Sequence, residues 1–157
     1  MIPIPSKPIM IELDLRIESP DWSAALPDLE PICERALGAG AAQADATGEV
    51  SLLLTDNTEI QTLNKDWRGK DRPTDVLSFP SDPVDRPFLG DIAGAYGVTA
   101  KDARAGEKSL EQHLSHLLIH GLLHLLGHDH KDDTEAAEME ALEVAALASL
   151  GWPDPYN

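Results

Sequence analysis

An α+β fold, with a small mixed sheet of about four strands packed with about five helices, is the architecture this sequence predicts. Two observations carry that prediction. Short runs with period-two alternation or continuous apolar character fall mainly before residue 98, while the longest stretches with helical spacing follow residue 100. The resulting order is strand, helix, strand, helix, strand, strand and then helices, which is the signature of a sheet with helices gathered against it.

The elements follow in order. In residues 9–17, Ile9, Ile11, Leu13, Leu15 and Ile17 alternate with Met10, Glu12, Asp14 and Arg16, so one face of a strand meets a core. Ser19-Pro20-Asp21 breaks it. Trp22 to about Leu37 suits a helix, with Pro27 and Pro31 confining its regular part to the second half and Gly38 and Gly40 ending it. Glu49–Thr55 is a mostly apolar, central strand. Asp56 with Glu59 three residues on is a helix start, and that helix carries Ile60, Leu63 and Asn64 toward Trp67. Trp67–Pro73 reads as a loop and Thr74–Phe79 as a strand closed by Pro80. A turn-rich loop (Ser81–Pro87), a strand (Leu89–Gly97) and a short helix (Ala100–Gly106) come next. Asp91 in that strand suits a turn or capping role as well as a functional one. Ser109 starts a further helix, and a last one spans Glu135 to Leu150, where Met139, Leu142, Ala146, Leu147 and Leu150 form a stripe read as core packing. No chemistry is assigned to the tail W-P-D-P-Y-N.

The 157 residues read most simply as one domain. The single cysteine, Cys33, excludes an internal disulfide and fits a reducing compartment as an inert core residue. The N-terminus lacks the pattern of a signal peptide, so a soluble cytoplasmic protein is expected. Twelve basic against 28 acidic residues give a net charge of −16, which opposes non-specific nucleic-acid binding. An RNA partner must therefore meet a local basic patch.

The chemistry concentrates in His120–His130, H-G-L-L-H-L-L-G-H-D-H. The apolar helix that carries it is too short to cross a bilayer, which takes roughly 20 apolar residues. A lone histidine on such a helix is ordinarily a packed core residue. His120 and His124, four apart, instead stack on one face at the spacing by which two imidazoles reach one metal ion. A third ligand cannot come from the same straight helix, because four residues rise about 6 Å and a Zn–N bond is about 2.0–2.1 Å. Gly127 sits where the chain can turn back. One of His128, Asp129 and His130 then closes a three-ligand site with an open position; we take His130, a choice supported by the resemblance described below. His113 and His116 lie one and two turns earlier, His113 suiting core packing and His116 a supporting or substrate-binding role.

A second stretch, L-N-K-D-W-R-G-K-D-R-P-T-D-V-L-S-F-P (63–80), places Lys65, Arg68, Lys70 and Arg72 within eight residues of an acidic chain. Taken singly, each lysine is read as solvated and paired with Asp66, Asp71 or Asp75. Arg68 lies between a tryptophan and a glycine, with a stacking surface beside it. A guanidinium holds phosphate by parallel hydrogen bonds and stabilises transition-state charge.

A zinc peptidase presents H-E-x-x-H, but Gly121 occupies the glutamate's place. A structural zinc site ordinarily has four protein ligands, often including cysteine. A metal-dependent hydrolase fits better, with the substrate unsettled by spacing alone.

The histidine stretch resembles the H-G-x-L-H-L-x-G-Y-D-H signature of the YbeY family of bacterial endoribonucleases, and residues 63–80 resemble its other hallmark almost throughout. Leu89-Gly-Asp-Ile92 and the Met139–Leu142 region also resemble the family, and the likeness spans about residues 49–150. The resemblance implies a zincin-like metal helix with one Zn2+ held by His120, His124 and His130. It implies a catalytic or RNA-binding role for Arg68, with His120 also counted catalytic and Lys65, Lys70 and Arg72 as further substrate contacts. It implies a single-strand-specific endoribonuclease of 16S rRNA 3′-end maturation and ribosome quality control, working with small-subunit proteins and assembly factors, with no membrane or DNA partner. The family's usual tyrosine is replaced by His128, which offers a spare imidazole or simply fills the tyrosine's place. Asp129 is expected to orient a ligand imidazole, and His116 and Asp129 are candidate bases. The rival readings are a non-catalytic ribosome-assembly factor with a structural metal, favoured by the acidic charge, and a metal hydrolase of another substrate.

Overall fold

The computed structural model describes residues 10–157. Ile9 and the N-terminal stretch read as lacking a signal peptide lie outside the described residues. The first strand, β1, spans Ile11–Ile17. The single helix expected from Trp22 to Leu37 is instead two, α1 (Pro20–Ala25) and α2 (Leu29–Ala44). Pro20 and Pro31 both lie in first turns, where no intrahelical N–H bond is lost, and Pro27 falls between the helices. Gly38 and Gly40 do not end α2, which runs on to Asp45 in the left-handed conformation. Gly40 serves packing instead: a Cβ there would lie 3.2 Å from Leu122 Cδ2, so glycine lets a neighbouring helix approach closely.

Strand β2 (Gly48–Thr55) precedes α3 (Asn57–Arg68), whose start is capped as expected, the Asp56 carboxylate accepting from Glu59 N at 2.9 Å. The helix includes Trp67 and Arg68, which the sequence reading placed in a loop. Gly69 at φ +71 ends it, a conformation that costs glycine least. Strand β3 (Val76–Pro80) and β4 (Phe88–Ala95) follow, then α4 (Tyr96–Ala105), α5 (Leu110–Leu125) and α6 (Asp133–Ser149). The split near Pro27 accounts for six α-helices where about five were expected.

The sheet order is β1-β2-β4-β3, parallel except for the antiparallel edge pair β3/β4. Register and pleat sort its residues. The row Leu15–Leu52–Ile92–Ser78 lies on the face covered by α2 and α5, where Val50, Leu52, Leu54 and Ile92 join Leu37, Leu118 and Leu122 in the main core. Helix α6 closes the outer side of α2 and α5 through Met139, Ala146 and Leu147 against Ile119 and Leu123.

The opposite face carries the rows Leu77–Ala93–Leu53–Arg16 and Phe79–Asp91–Ser51–Asp14. Ile60 and Leu63 of α3 pack on Leu77 and Ala93, while Asp91 and Asp14 stay exposed. Asp91 is thus a mid-strand residue, neither turn nor cap. Among the described residues no helix is long and apolar enough to cross a membrane.

Candidate metal centre

Helix α5 is capped by Ser109, whose hydroxyl accepts from Gln112 N at 3.1 Å. Its apolar residues are mostly buried, and along the side that carries His113, His116, His120 and His124 it meets a cleft of about 680 Å³. Past Leu126 the chain reverses at Gly127, φ +95, with His128 N donating back to Leu123 O at 2.9 Å. The turn returns His130, so one ligand atom from each of His120, His124 and His130 lies within 4.8 Å of the others. His128 lines the cleft but stands outside that group.

The spacing of the two helical imidazoles fits a tetrahedral cation, with His130 within reach of both. Nε2 of His120 and Nε2 of His124 face each other at 3.1 Å, close to the roughly 3.3 Å edge of a tetrahedron with Zn–N bonds of about 2.0–2.1 Å. Burial lowers the pKa of His124, and the neighbouring His120 and His130 add to the effect, favouring the neutral ring that a metal requires.

The partner that orients His120 was not foreseen. His120 Nδ1 donates to Glu143 Oε1 at 2.7 Å, which leaves Nε2 as the lone-pair donor facing His124. Glu143 projects from α6 and is 1% exposed. Its other oxygen accepts from the Tyr156 hydroxyl at 2.5 Å, and His116 Nε2 stands 3.3 Å from Oε1. Burial by itself raises the carboxyl pKa, but the hydrogen bonds from His116, His120 and Tyr156 outweigh it and hold the group at about 2. Burial and the bond to Glu143 raise the pKa of the Tyr156 hydroxyl. The last helix is therefore more than core, and the tail carries a site residue. Asp129, expected to orient an imidazole, instead accepts from its neighbour His130 N at 2.8 Å.

Arg68 of α3 lines the same cleft. Its Nη2 donates to the Ser78 carbonyl and its guanidinium carbon stands 5.5 Å from the Phe79 ring centre. Lys65, Lys70 and Arg72 are exposed and do not line the cleft. Nor do they pair with Asp66, Asp71 or Asp75: among the described residues none of the three lies within 4.0 Å of a carboxylate oxygen. His113 also lines the cleft, near Asp75 and Asp102, with both ring nitrogens covered and without a hydrogen-bond partner among the described residues.

Gly121 explains why the H-E-x-x-H glutamate is missing. It faces the sheet, where a Cβ would sit 3.1 Å from Ser78 Oγ and 3.3 Å from Ile92 Cδ1. A glutamate there would crowd Ser78 and Ile92.

The sequence profile of the family described as Endoribonuclease YbeY matches residues 17–151. A relative named Endoribonuclease YbeY from Paramagnetospirillum magneticum is 48% identical, covering 95% of this chain and 98% of its own. Another of that name from a Bradyrhizobium species is 46% identical, covering 98% and 94%. The solution structure of TM1509 from Thermotoga maritima is similar at 26% identity and a TM-score of 0.55, covering 90% of this chain and 92% of that one.

Proposed function

The chain belongs to the Endoribonuclease YbeY family, and on that premise we propose that it is a zinc-dependent, single-strand-specific endoribonuclease. Its substrate in this reading is the 3′ end of 16S rRNA precursors, met in the cytoplasm on small-subunit particles. The observation that carries the reading is the pair of facing His120 and His124 Nε2 atoms, 3.1 Å apart, in a cleft that Arg68 also lines.

His120, His124 and His130 would hold the ion, and Glu143 keeps His120 in the tautomer that presents Nε2. When bound, zinc supplies Lewis acidity toward a phosphodiester or a water molecule. Arg68 contributes fixed positive charge: one guanidinium nitrogen is anchored on Ser78 O, and the remaining N–H groups are available to phosphate oxygens as charge builds in the transition state. Asp129 keeps an ionised carboxylate at the cleft, its pKa lowered chiefly by the His130 backbone N–H.

The test is cleavage of a 3′-extended 16S RNA fragment by the wild-type protein beside identically prepared His120→Ala and Arg68→Ala proteins. Cutting by wild type alone supports the reading, and a 2′,3′-cyclic phosphate end would identify the RNA's own hydroxyl as nucleophile. Equal cutting by all three would expose a contaminant. No cutting by any, with metal still bound, would favour an assembly factor.

A further inference from the structure

The two faces of β3 lead to different places. Ser78 points toward α5 and the histidine cleft, while Phe79 points to the opposite face of the sheet. There a groove of about 430 Å³ is floored by Leu53, Leu63, Phe79 and Ala93 and bordered by Trp67. Trp67 is 69% exposed, with its ring centre 6.2 Å from that of Phe79 at 64°. Its neighbour Arg68 bridges the two sides, lining the cleft while lying over the Phe79 ring.

We propose that this groove is a nucleobase subsite, in which an unpaired base of the RNA strand held at the cleft stacks on Trp67. The inference rests on the endoribonuclease reading and deepens it. A strand with a phosphate on Arg68 can place its next nucleotide beside Trp67, because both residues flank the same Phe79 ring, the guanidinium carbon 5.5 Å and the indole centre 6.2 Å from its centre. An exposed indole with an aromatic neighbour is a stacking surface that every base can use. Charge sets the direction of insertion. Lys65, Lys70 and Arg72, unpaired among the described residues, lie on α3 and the loop after it, on the side where the sugar-phosphate chain passes. The row running from Phe79 across the sheet is Asp91, Ser51 and Asp14, whose carboxylates accept hydrogen bonds from exocyclic amino groups and repel phosphate, while Arg16, which also lines the groove, is paired with Glu18 at 2.6 Å. The groove therefore prefers adenine, guanine or cytosine to uracil.

The probes are short fluorescent 2′-O-methyl oligoadenylate and oligouridylate, titrated by anisotropy against metal-loaded wild type, Trp67→Ala, Trp67→Phe and Asp91→Asn. Stacking of one base predicts that Trp67→Ala weakens oligoadenylate binding by about tenfold or more. Trp67→Phe retains most of the affinity, and Asp91→Asn narrows the preference for adenylate. In RNA cleavage the Trp67→Ala loss falls in KM rather than kcat, with metal content and melting temperature unchanged. If Trp67→Ala binds and cleaves like wild type, the subsite is wrong while the nuclease reading stands, and the groove is left to a protein partner. If wild type neither binds these strands nor cuts RNA, both readings fall together.

Discussion

Glu143 Oε1 and His120 Nδ1, on two different helices, share a hydrogen bond of 2.7 Å in which the carboxylate is 1% exposed and the imidazole 28%. Removing the partner of a metal-ligating histidine weakens metal binding by about 10–100-fold. Glu143→Ala should show the larger loss, measured by competition with a chelator on metal-free protein. Glu143→Gln keeps an acceptor for His120 and a donor toward Tyr156, so it should lie between Ala and wild type. Equal affinity in all three proteins would remove Glu143 from the centre.

Arg68→Ala should retain stoichiometric zinc and the wild-type melting temperature while losing about 10²–10³ in kcat, the scale of one transition-state donor. Arg68→Lys should not restore the rate, because an ammonium lacks the planar fork. Single-turnover cleavage with both variants decides this.

Acid stability provides a separate check on the Glu143 network. Its carboxyl is held at about 2, below the ordinary 4.5. The folded state thus prefers the ionised form, giving stability that is fully present above pH 4.5 and drains away as pH falls from 4.5 toward 2. In the metal-free protein, thermal melts across that window should steepen the decline for wild type relative to Glu143→Gln. Parallel curves would mean the depressed carboxyl is not coupled to folding.

Gly121→Ala should lower the melting temperature. The added methyl meets Ser78 Oγ at 3.1 Å and two Ile92 carbons at 3.3 and 3.4 Å. Overpacking of this kind costs about 1–3 kcal/mol, against about 0.5–1 kcal/mol gained by replacing a mid-helix glycine. A higher melting temperature would show that Ser78 and Ile92 yield freely.

The histidine site was legible because its information is local. Four residues on a helix define the geometry of His120 and His124 before any tertiary contact is known, and the glycine turn narrows the third residue to His128, Asp129 or His130, among which the family resemblance pointed to His130. Glu143 was not legible, since it follows Leu142 of the apolar stripe in a helix rich in exposed glutamates, and only the packing of α6 on α5 turns it inward. Tyr156 becomes a site residue through that same packing. Gly40 misled for a related reason: its effect on a lone helix is to weaken it, and in the protein it faces Leu122 and Ile119 of another helix, while Gly38 is carried within α2 with nothing within 4 Å of an added Cβ. The four strands were read from alternation and apolar runs, but the open row Phe79–Asp91–Ser51–Asp14 exists only once register is set.

The turn between α5 and α6 has an unusual tolerance to mutation. Surface loops ordinarily absorb insertions and deletions. Here Gly127 starts a reversal that brings His130 to the two helical histidines, and the proposed metal site requires it to do so. One residue more or less moves a Cα by up to about 3.8 Å, nearly twice the length of a Zn–N bond of about 2.0–2.1 Å. Substitutions at exposed positions of this connection are cheap, but its length is under the same constraint as a ligand.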